Sequence, residues 1–133
     1  MTNRSPVETV NQLIEAFNRG NLEGALALYE PHATLMVEPG KPANGPAALR
    51  QALQGFFNLQ PTLETGRHTL VQAGDLALYC SEWTLSGTGS DGRPVAMGGL
   101  SADVLRRQPD GRWLIAVDNP WGTAILGNLN GGE

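Results

Sequence analysis

Apolar residues recur every three or four positions in the first twenty residues, and this spacing predicts an amphipathic helix. Ser5 can cap its start, Pro6 suits the first turn, and Glu8 completes a capping box. Gly20 marks its end. The buried stripe of this helix is expected to consist of Val7, Val10, Leu13, Ile14 and Phe17.

Two more helices are predicted before residue 61. Asn21 can cap a short second helix, which Pro31 stops and whose apolar stripe is Leu22, Ala25, Leu26 and Tyr29. A first strand over Ala33 to Glu38 leads into a loop formed by Pro39, Gly40, Pro42, Asn44 and Gly45. Pro46 opens a third helix, and its inward side chains are expected to be Leu49, Leu53, Phe56 and Phe57.

The pattern after Pro61 is typical of strands. Four are predicted, near residues 62–72, 76–86, 94–106 and 112–119. The hairpin signals between them are Ala73-Gly74-Asp75, Ser90-Asp91-Gly92 and Pro109-Asp110-Gly111. Helices followed by an antiparallel meander predict an α+β fold. A length of 133 residues with 41% hydrophobic content suits one core, so we expect a single domain over residues 1–122 and a C-terminal tail over 123–133.

Charge and cysteine content exclude several classes of function. The net charge is −4, the pI is near 5.1 and Lys41 is the only lysine, so we expect no nucleic-acid partner. Cys80 is the only cysteine, which rules out an intrachain disulfide, and no metal-ligand spacing surrounds His32 or His68. We therefore expect no metal and no cofactor. The start lacks the apolar run of a signal peptide and no stretch can span a bilayer, which predicts a cytoplasmic protein without a membrane partner.

Two acidic residues are the candidate catalytic groups. If Asp110 and Gly111 form a two-residue hairpin loop, counting back along both strands sets Asp103 opposite Asp118 on one face of the sheet. A close carboxylate pair raises the pKa of one member and leaves a proton-bearing group beside a charged one. Such a pair suits general acid and base chemistry.

Each aspartate also has a purely structural interpretation. Asp103 could be solvated or paired with Arg106, Arg107 or Arg112, as strand aspartates near turns often are. The carboxylate of Asp118 could instead accept backbone N–H groups in an Asx-type turn over Asn119-Pro120-Trp121. Both roles can hold together, in which case the turn would orient Asp118 for chemistry.

Strand alternation and turn length determine the neighbours of the acids. Alternation over 112–119 puts Trp113 on the face opposite to Asp118, so we expect Trp113 on the outer face of the sheet. An unbulged turn at Asp91-Gly92 would put Cys80 opposite Asp103, while one bulge would bring Tyr79 or Ser81 there.

The order of elements and several short motifs resemble the nuclear transport factor 2-like superfamily, and within it the ketosteroid isomerase, polyketide cyclase (SnoaL-like) and DUF4440 branches. The motifs are Gly20-Asn21-Leu22-Glu23, Gly45-Pro46-Ala47-Ala48-Leu49, Asp103-Val104-Leu105-Arg106 and Asp110-Gly111-Arg112-Trp113. The closing Val117-Asp118-Asn119-Pro120-Trp121-Gly122 is similar to DUF4440 proteins. This resemblance implies a cone in which three N-terminal helices pack on a strongly curved, mostly antiparallel sheet around an apolar cavity. It also implies a homodimer formed through the outer sheet face.

The isomerase site is only partly present. Aligned without gaps, the family's helix-1 tyrosine falls on Leu13 and its first-strand base on Val37, while Asp103 matches the family's protonated acid. Shifting by one residue would make Glu38 the base, but one residue along a strand reverses the face. Tyr29 matches a pocket tyrosine of the isomerases, although it also suits the end of helix 2. The resemblance therefore implies a pocket without classical ketosteroid isomerase activity.

These observations favour a domain that binds a small apolar molecule and moves a proton on it through the Asp103–Asp118 pair, as isomerases and cyclases do. The expected ligand-binding side chains are Leu13, Phe17, Tyr29, Val37, Phe56, Trp83 and Trp121. The alternative is a non-catalytic dimerisation or ligand-carrying module. A third reaction, epoxide opening by an Asp-Arg-Asp arrangement, would need Arg67 or Arg107 between the acids.

Overall fold

Three α-helices and a six-stranded sheet make up the computed structural model, which describes residues 3–127. The helices are α1 (Pro6–Arg19), α2 (Leu22–Leu26) and α3 (Pro46–Phe57). The strands are β1 (Tyr29–Glu38), β2 (Lys41–Asn44), β3 (Thr62–Ala73), β4 (Leu76–Thr88), β5 (Pro94–Arg107) and β6 (Trp113–Asp118). Helix α1 packs against β3 and β6, and α3 packs against β1 and β2. The predicted α+β fold is confirmed.

The strands follow the order β2-β1-β6-β5-β4-β3. Neighbouring strands are antiparallel except β1 and β6, which run parallel. The meander from β3 to β6 therefore forms as the turn signals predict. The sheet is curved and mixed, and two of the three helices are long while α2 has only five residues.

The start of α1 shows how local sequence fixes an element. Ser5 Oγ accepts the Glu8 N–H at 3.2 Å, as predicted for an N-cap. The Glu8 carboxylate accepts the Arg4 N–H at 2.8 Å rather than that of Ser5, so the second half of the capping box lies one residue earlier. Gly20 ends the helix with a φ of 66°, a conformation that glycine adopts without strain.

The segment after α1 differs from the prediction in two elements. Helix α2 ends at Leu26, and Tyr29 begins β1, where it pairs with Ile115 of β6. Pro31 disfavours helical backbone at the residue before it, and pairing with β6 supplies partners for an extended chain. The predicted loop contains strand β2, and Pro42 is tolerated there because β2 is an edge strand.

Trp113 lies in the core, so its predicted position on the outer sheet face is wrong. It is buried in one cluster with residues of all the helices, and the Arg107 guanidinium carbon lies 5.7 Å from its ring centroid. The reason is a change of phase in β6, because one extra residue interrupts strict alternation. That residue is Ala116, since Ile115 pairs with Leu105 and Val117 pairs with Val104.

A short 3₁₀ helix, Gly122–Leu126, follows β6 and contacts β5. It occupies the beginning of the segment predicted as a tail, and the rest of that segment, 128–133, lies outside the described residues. Within residues 3–127 no helix is both long and apolar enough to cross a membrane.

Candidate functional site

A cavity of about 90 Å³ lies between helices α1 and α3 and the sheet. Its wall is mostly apolar: Val10, Leu13, Ile14, Phe17, Leu35, Leu53, Phe56, Leu63, Trp83, Leu85 and Pro120. Five polar side chains interrupt this wall: Thr65, Ser81, Ser101, Asp103 and Asp118. An apolar pocket with a few convergent polar groups is the usual form of a small-molecule site.

The two predicted acids meet at this cavity, but the hairpin that brings them together differs from the prediction. Gln108 N–H donates to Arg112 C=O at 2.7 Å, so the loop has three residues, and Gly111 takes a φ of 91°. This loop alone would shift the register by one residue. The extra residue at Ala116 shifts it back, and the register that pairs Val104 with Val117 leads to Asp103 beside Asp118.

The neighbour of Asp103 on β4 is Tyr79, one of the two alternatives to Cys80. Strands β4 and β5 pair along their whole length without a register shift. Tyr79 and not Cys80 lies opposite Asp103 because the loop between these strands also has three residues. Gly89 N–H donates to Arg93 C=O at 2.8 Å, and Gly92 has a φ of 80°.

A hydrogen-bonded network joins the acids to the backbone and to a tyrosine. The Tyr29 hydroxyl donates to Asp118 Oδ2 at 2.5 Å, and the Asn119 N–H donates to Asp103 Oδ1 at 2.7 Å. The carboxyl groups of Asp103 and Asp118 are near enough that each shifts the pKa of the other, and a hydrogen bond between them would require a proton on one of them.

Burial makes Asp103 the proton-bearing member. Desolvation raises the pKa of Asp103 well above its usual range, and the nearby charge of Asp118 raises it further. Burial also raises the pKa of Asp118, but hydrogen bonds from Tyr29 and Asp103 oppose this rise. The pKa of Tyr29 is raised well above its usual range by burial and by the charge of Asp118, so the phenol remains a donor. These shifts favour a proton on Asp103 and the ionised form at Asp118.

Within residues 3–127 Asp103 is not paired with an arginine, so the alternative in which it forms an ion pair with a nearby arginine is wrong. The three arginines considered for that role bind other carboxylates, in the pairs Arg106–Glu30, Arg107–Asp75 and Arg112–Asp110. Within the described residues the polar partners of Asp103 are Asn119 and Asp118.

The corner after β6 is held by Asn119, so the Asx-type turn predicted for Asp118 belongs to its neighbour. Asn119 Oδ1 accepts the Trp121 N–H at 3.2 Å, and its Nδ2 donates to Gly122 C=O at 3.1 Å. Two indoles anchor the same corner, because Trp83 Nε1 donates to Pro120 C=O at 2.7 Å and Trp121 Nε1 donates to a carbonyl of β1 at 3.0 Å. The corner therefore fixes the Asn119 N–H that binds Asp103.

The residues predicted to bind a ligand divide into two groups. Leu13, Phe17, Phe56 and Trp83 line the cavity, and Tyr29 contacts it through Asp118. The other two are not among its lining residues: Val37 supplies the carbonyl that Trp121 binds, and Trp121 packs edge-on against Trp83 with 5.4 Å between ring centroids.

Three polar side chains that the sequence pattern did not single out for the pocket also line the cavity: Thr65, Ser81 and Ser101. Strand alternation could have indicated the two serines, because Ser101 lies two residues before Asp103 and Ser81 lies two residues before Trp83, each on the same face of its strand. Within residues 3–127 no three His, Cys, Asp or Glu side chains form a group that could hold a metal ion.

Comparison with known proteins identifies both a family and a fold. Residues 10–115 match the model of the SnoaL-like domain family. No curated protein matches the chain. A protein from Shewanella frigidimarina described as a candidate ketosteroid isomerase is 23% identical, with a TM-score of 0.68 over 83% of this chain and 89% of that one.

Two further structures are similar over most of their length. The epoxide hydrolase/cyclase-like enzyme SalBIII of pyran ring formation in salinomycin is 21% identical, with a TM-score of 0.68 over 84% of this chain and 85% of that one. An NTF2-like protein with a cystatin-like fold from Novosphingobium aromaticivorans is 20% identical, with a TM-score of 0.66 over 84% and 75%. At these identities the likeness establishes the nuclear transport factor 2-like fold.

Proposed function

The chain belongs to the SnoaL-like domain family, and from that premise we propose that it binds a compact apolar carbonyl compound and moves a proton on it. The observation that carries this proposal is the pair of buried acids, Asp103 and Asp118, on the wall of an apolar cavity, where burial and the neighbouring charge raise the pKa of Asp103. Two titratable groups with opposite protonation states at one site can serve as acid and base.

The reaction we propose is enolisation of a ketone. Asp118 takes the proton from the carbon next to the carbonyl, and the C–H bonding pair becomes the C=C bond of the enol. The carbonyl oxygen receives the proton of Asp103, so Asp118 ends neutral and Asp103 ends as a carboxylate. If the proton on Asp118 is first replaced by one from solvent, its return to the same carbon completes an exchange. Return of a proton from Asp118 to another carbon completes an isomerisation, and in both cases the hydroxyl proton of the enol returns to Asp103.

Tyr29 and the Asn119 corner prepare the acids for this reaction. The Tyr29 hydroxyl stabilises the ionised form of Asp118, so the base remains charged in an apolar site. The Asn119 N–H holds one oxygen of Asp103 at 2.7 Å. The other oxygen of Asp103 then carries the proton, which can turn away from Asp118 and be donated to a ligand oxygen.

The size of the cavity narrows the substrate class. Its volume of about 90 Å³ is below the roughly 300–1,000 Å³ of typical ligand pockets. We therefore propose a small ketone, or the reacting end of a longer molecule, rather than a whole steroid. Leu13 and Val37, at the positions of the isomerase tyrosine and base, support the same conclusion.

Epoxide opening, which the name of SalBIII suggests for that protein, is less well supported in this chain. An arginine between the acids is the group that this chemistry would need here. Arg67 is exposed and bound to Glu82, and Arg107 is bound to Asp75. Proton transfer needs only the pair that the cavity contains.

The proposal is tested by deuterium exchange. The protein is incubated with 2-pentanone in D₂O, and loss of the α-proton signals is followed by NMR at pH 7. We expect exchange that is faster than in buffer and that is removed by Asp118→Asn and by Asp103→Asn. Asp103→Asn should nearly preserve folding and ketone affinity, because the amide keeps the shape of the acid. Asp91→Asn, in an exposed turn, is the matched control and should exchange at the wild-type rate.

Binding of 2-pentanone without exchange would instead favour the ligand-carrying module. Exchange that persists at the wild-type rate in Asp103→Asn would refute the role of this residue as the acid.

We also propose that two copies of the chain associate through the outer face of the sheet. Several exposed apolar side chains support this, because they lie on strands β3 to β6: Val71, Leu76, Leu78, Leu100 and Val117. Sedimentation should give a dimer at micromolar concentration, and Leu78→Lys should give a folded monomer. A monomeric wild-type protein would contradict the proposal.

A further inference from the structure

Two serines form a polar pair on the cavity wall beside the acids. Ser81 on β4 and Ser101 on β5 lie directly opposite each other, and their hydroxyl oxygens are 2.9 Å apart. Their exposed fractions are only 8% and 6%, yet both line the cavity. A buried hydroxyl pair in a wall that is otherwise apolar points to a polar atom of a ligand.

Counting hydrogens shows that the pair has one donor to spare. Ser101 Oγ accepts the backbone N–H of Ser81 at 3.1 Å. The contact between the two oxygens uses the hydroxyl hydrogen of one serine, whichever it is. The hydrogen of the other serine has no acceptor in the described part of the chain. A buried hydroxyl hydrogen without an acceptor is unfavourable, so an acceptor placed in the cavity would complete this site.

We propose that the Ser81–Ser101 pair is a second anchoring site, which donates a hydrogen bond to a second oxygen of the substrate. Ser101 and Asp103 lie on the same face of β5, two residues apart, which spaces them by about 6.6 Å along the strand. This spacing fits a short carbon chain with a carbonyl oxygen at Asp103 and a hydroxyl, carbonyl or ether oxygen at the serines. The substrate class is therefore a compact ketone with two oxygen atoms.

This inference rests on the proposed binding of a ketone at the acid pair, and two probes of nearly equal shape test it. They are 4-hydroxy-2-butanone and 2-pentanone, which differ by a hydroxyl in place of a methyl group. Their dissociation constants are measured by NMR titration for the wild type, each single serine-to-alanine variant and the double variant Ser81→Ala/Ser101→Ala. Ser86→Ala, an exposed serine on the same strand, is the matched control.

The hydrogen count gives an unusual expectation, because either serine alone still carries one free hydroxyl hydrogen. The ratio of the two dissociation constants should stay within about twofold of wild type in both single variants and in Ser86→Ala. In the double variant the preference for the hydroxylated ketone should fall about tenfold, since its hydroxyl is then buried without a donor.

A ratio that is unchanged in the double variant overturns the inference. The inference is also overturned if the wild-type protein binds 2-pentanone tenfold more tightly than 4-hydroxy-2-butanone, because the hydroxyl of the ligand would then have no partner in the cavity. This measurement does not depend on the folding of any variant. Binding of neither ketone overturns both this inference and the proposed function. Binding with the expected ratio but without deuterium exchange supports the serine site and refutes only the catalytic part of the proposed function.

Discussion

Replacing Tyr29 with phenylalanine removes one hydroxyl from the acid network and leaves the aromatic ring in place. Tyr29 is 4% exposed, and its hydroxyl donates to Asp118 Oδ2 at 2.5 Å. The ring packs in the core, so the change leaves the apolar contacts largely intact. The perturbation is the loss of one donor from a buried carboxylate.

The expected cost follows from the charge of the acceptor. A hydrogen bond to a charged group contributes roughly 1.5–3 kcal/mol, compared with about 1 kcal/mol between neutral groups. We therefore expect Tyr29→Phe to lower the free energy of unfolding by about 2 kcal/mol at pH 7. It should also raise the pKa of Asp118, because the Tyr29 hydrogen bond lowers that pKa. In acid, where Asp118 is protonated, the loss in free energy of unfolding should fall toward about 1 kcal/mol, the value for a hydrogen bond between neutral groups.

Urea denaturation at pH 7 and in acid measures both effects, and Tyr79→Phe is the matched control. Tyr79 is 2% exposed, and its pKa is raised by burial and the charge of Asp103 without a hydrogen-bond contribution. Because no hydrogen bond contributes to the pKa of Tyr79, removal of its hydroxyl should cost less stability than Tyr29→Phe. A double-mutant cycle with Asp118→Asn isolates the pairwise energy. If Tyr29→Phe costs no more than Tyr79→Phe, the hydroxyl does not stabilise the Asp118 carboxylate and the reasoning is wrong.

Two further predictions concern the acid pair and the corner that positions it. The folded pKa of Asp103 is raised, so its contribution to stability is complete below the unfolded pKa of about 3.9 and is lost as pH rises toward the folded pKa. In thermal unfolding, Asp103→Asn should therefore be as stable as wild type in acid. Between the unfolded and the folded pKa, the free energy of unfolding of the variant should rise relative to that of wild type by about 1.4 kcal/mol per pH unit. A difference that does not change with pH would contradict the raised pKa. Gly122→Ala should destabilise the protein by more than about 1 kcal/mol, because a Cβ there would lie 2.6 Å from the carbonyl oxygen of Leu100 at a φ of 54°. Gly127→Ala should cost less, because Gly127 has a φ of 76° but no atom of residues 3–127 lies within 4 Å of a Cβ at that position. Equal costs for the two glycine variants would mean that only the backbone conformation, and not the contact, disfavours the side chain.

Prediction from the sequence worked best where the signal was local. The limits of α1, the start of α3 and the four strands from β3 to β6 follow from capping residues, helical spacing and turn signals that lie within a few residues of the elements they define. It failed at Tyr29, where pairing with a strand some 85 residues further on decides between helix and strand. No pattern within β1 carries that information.

The pairing of the acids shows a different limit. Asp103 and Asp118 were predicted to be neighbours from a two-residue loop, but the loop has three residues and an extra residue at Ala116 restores the register. The same bulge turns Trp113 into the core and so makes the predicted outer position wrong. The two shifts cancel, so a count along the strands finds the right pair of acids without finding either shift.

The sequence by itself determined the α+β fold, the positions of most elements and the two carboxylic acids that the site would use. Those features arise from interactions between near neighbours in the chain. The tertiary structure alone decided which atoms surround the acids: a tyrosine hydroxyl and a backbone N–H instead of an arginine, with two serines facing the same cavity. Protonation follows from burial and from partners distant in sequence, and both exist only when the sheet and the helices have packed together.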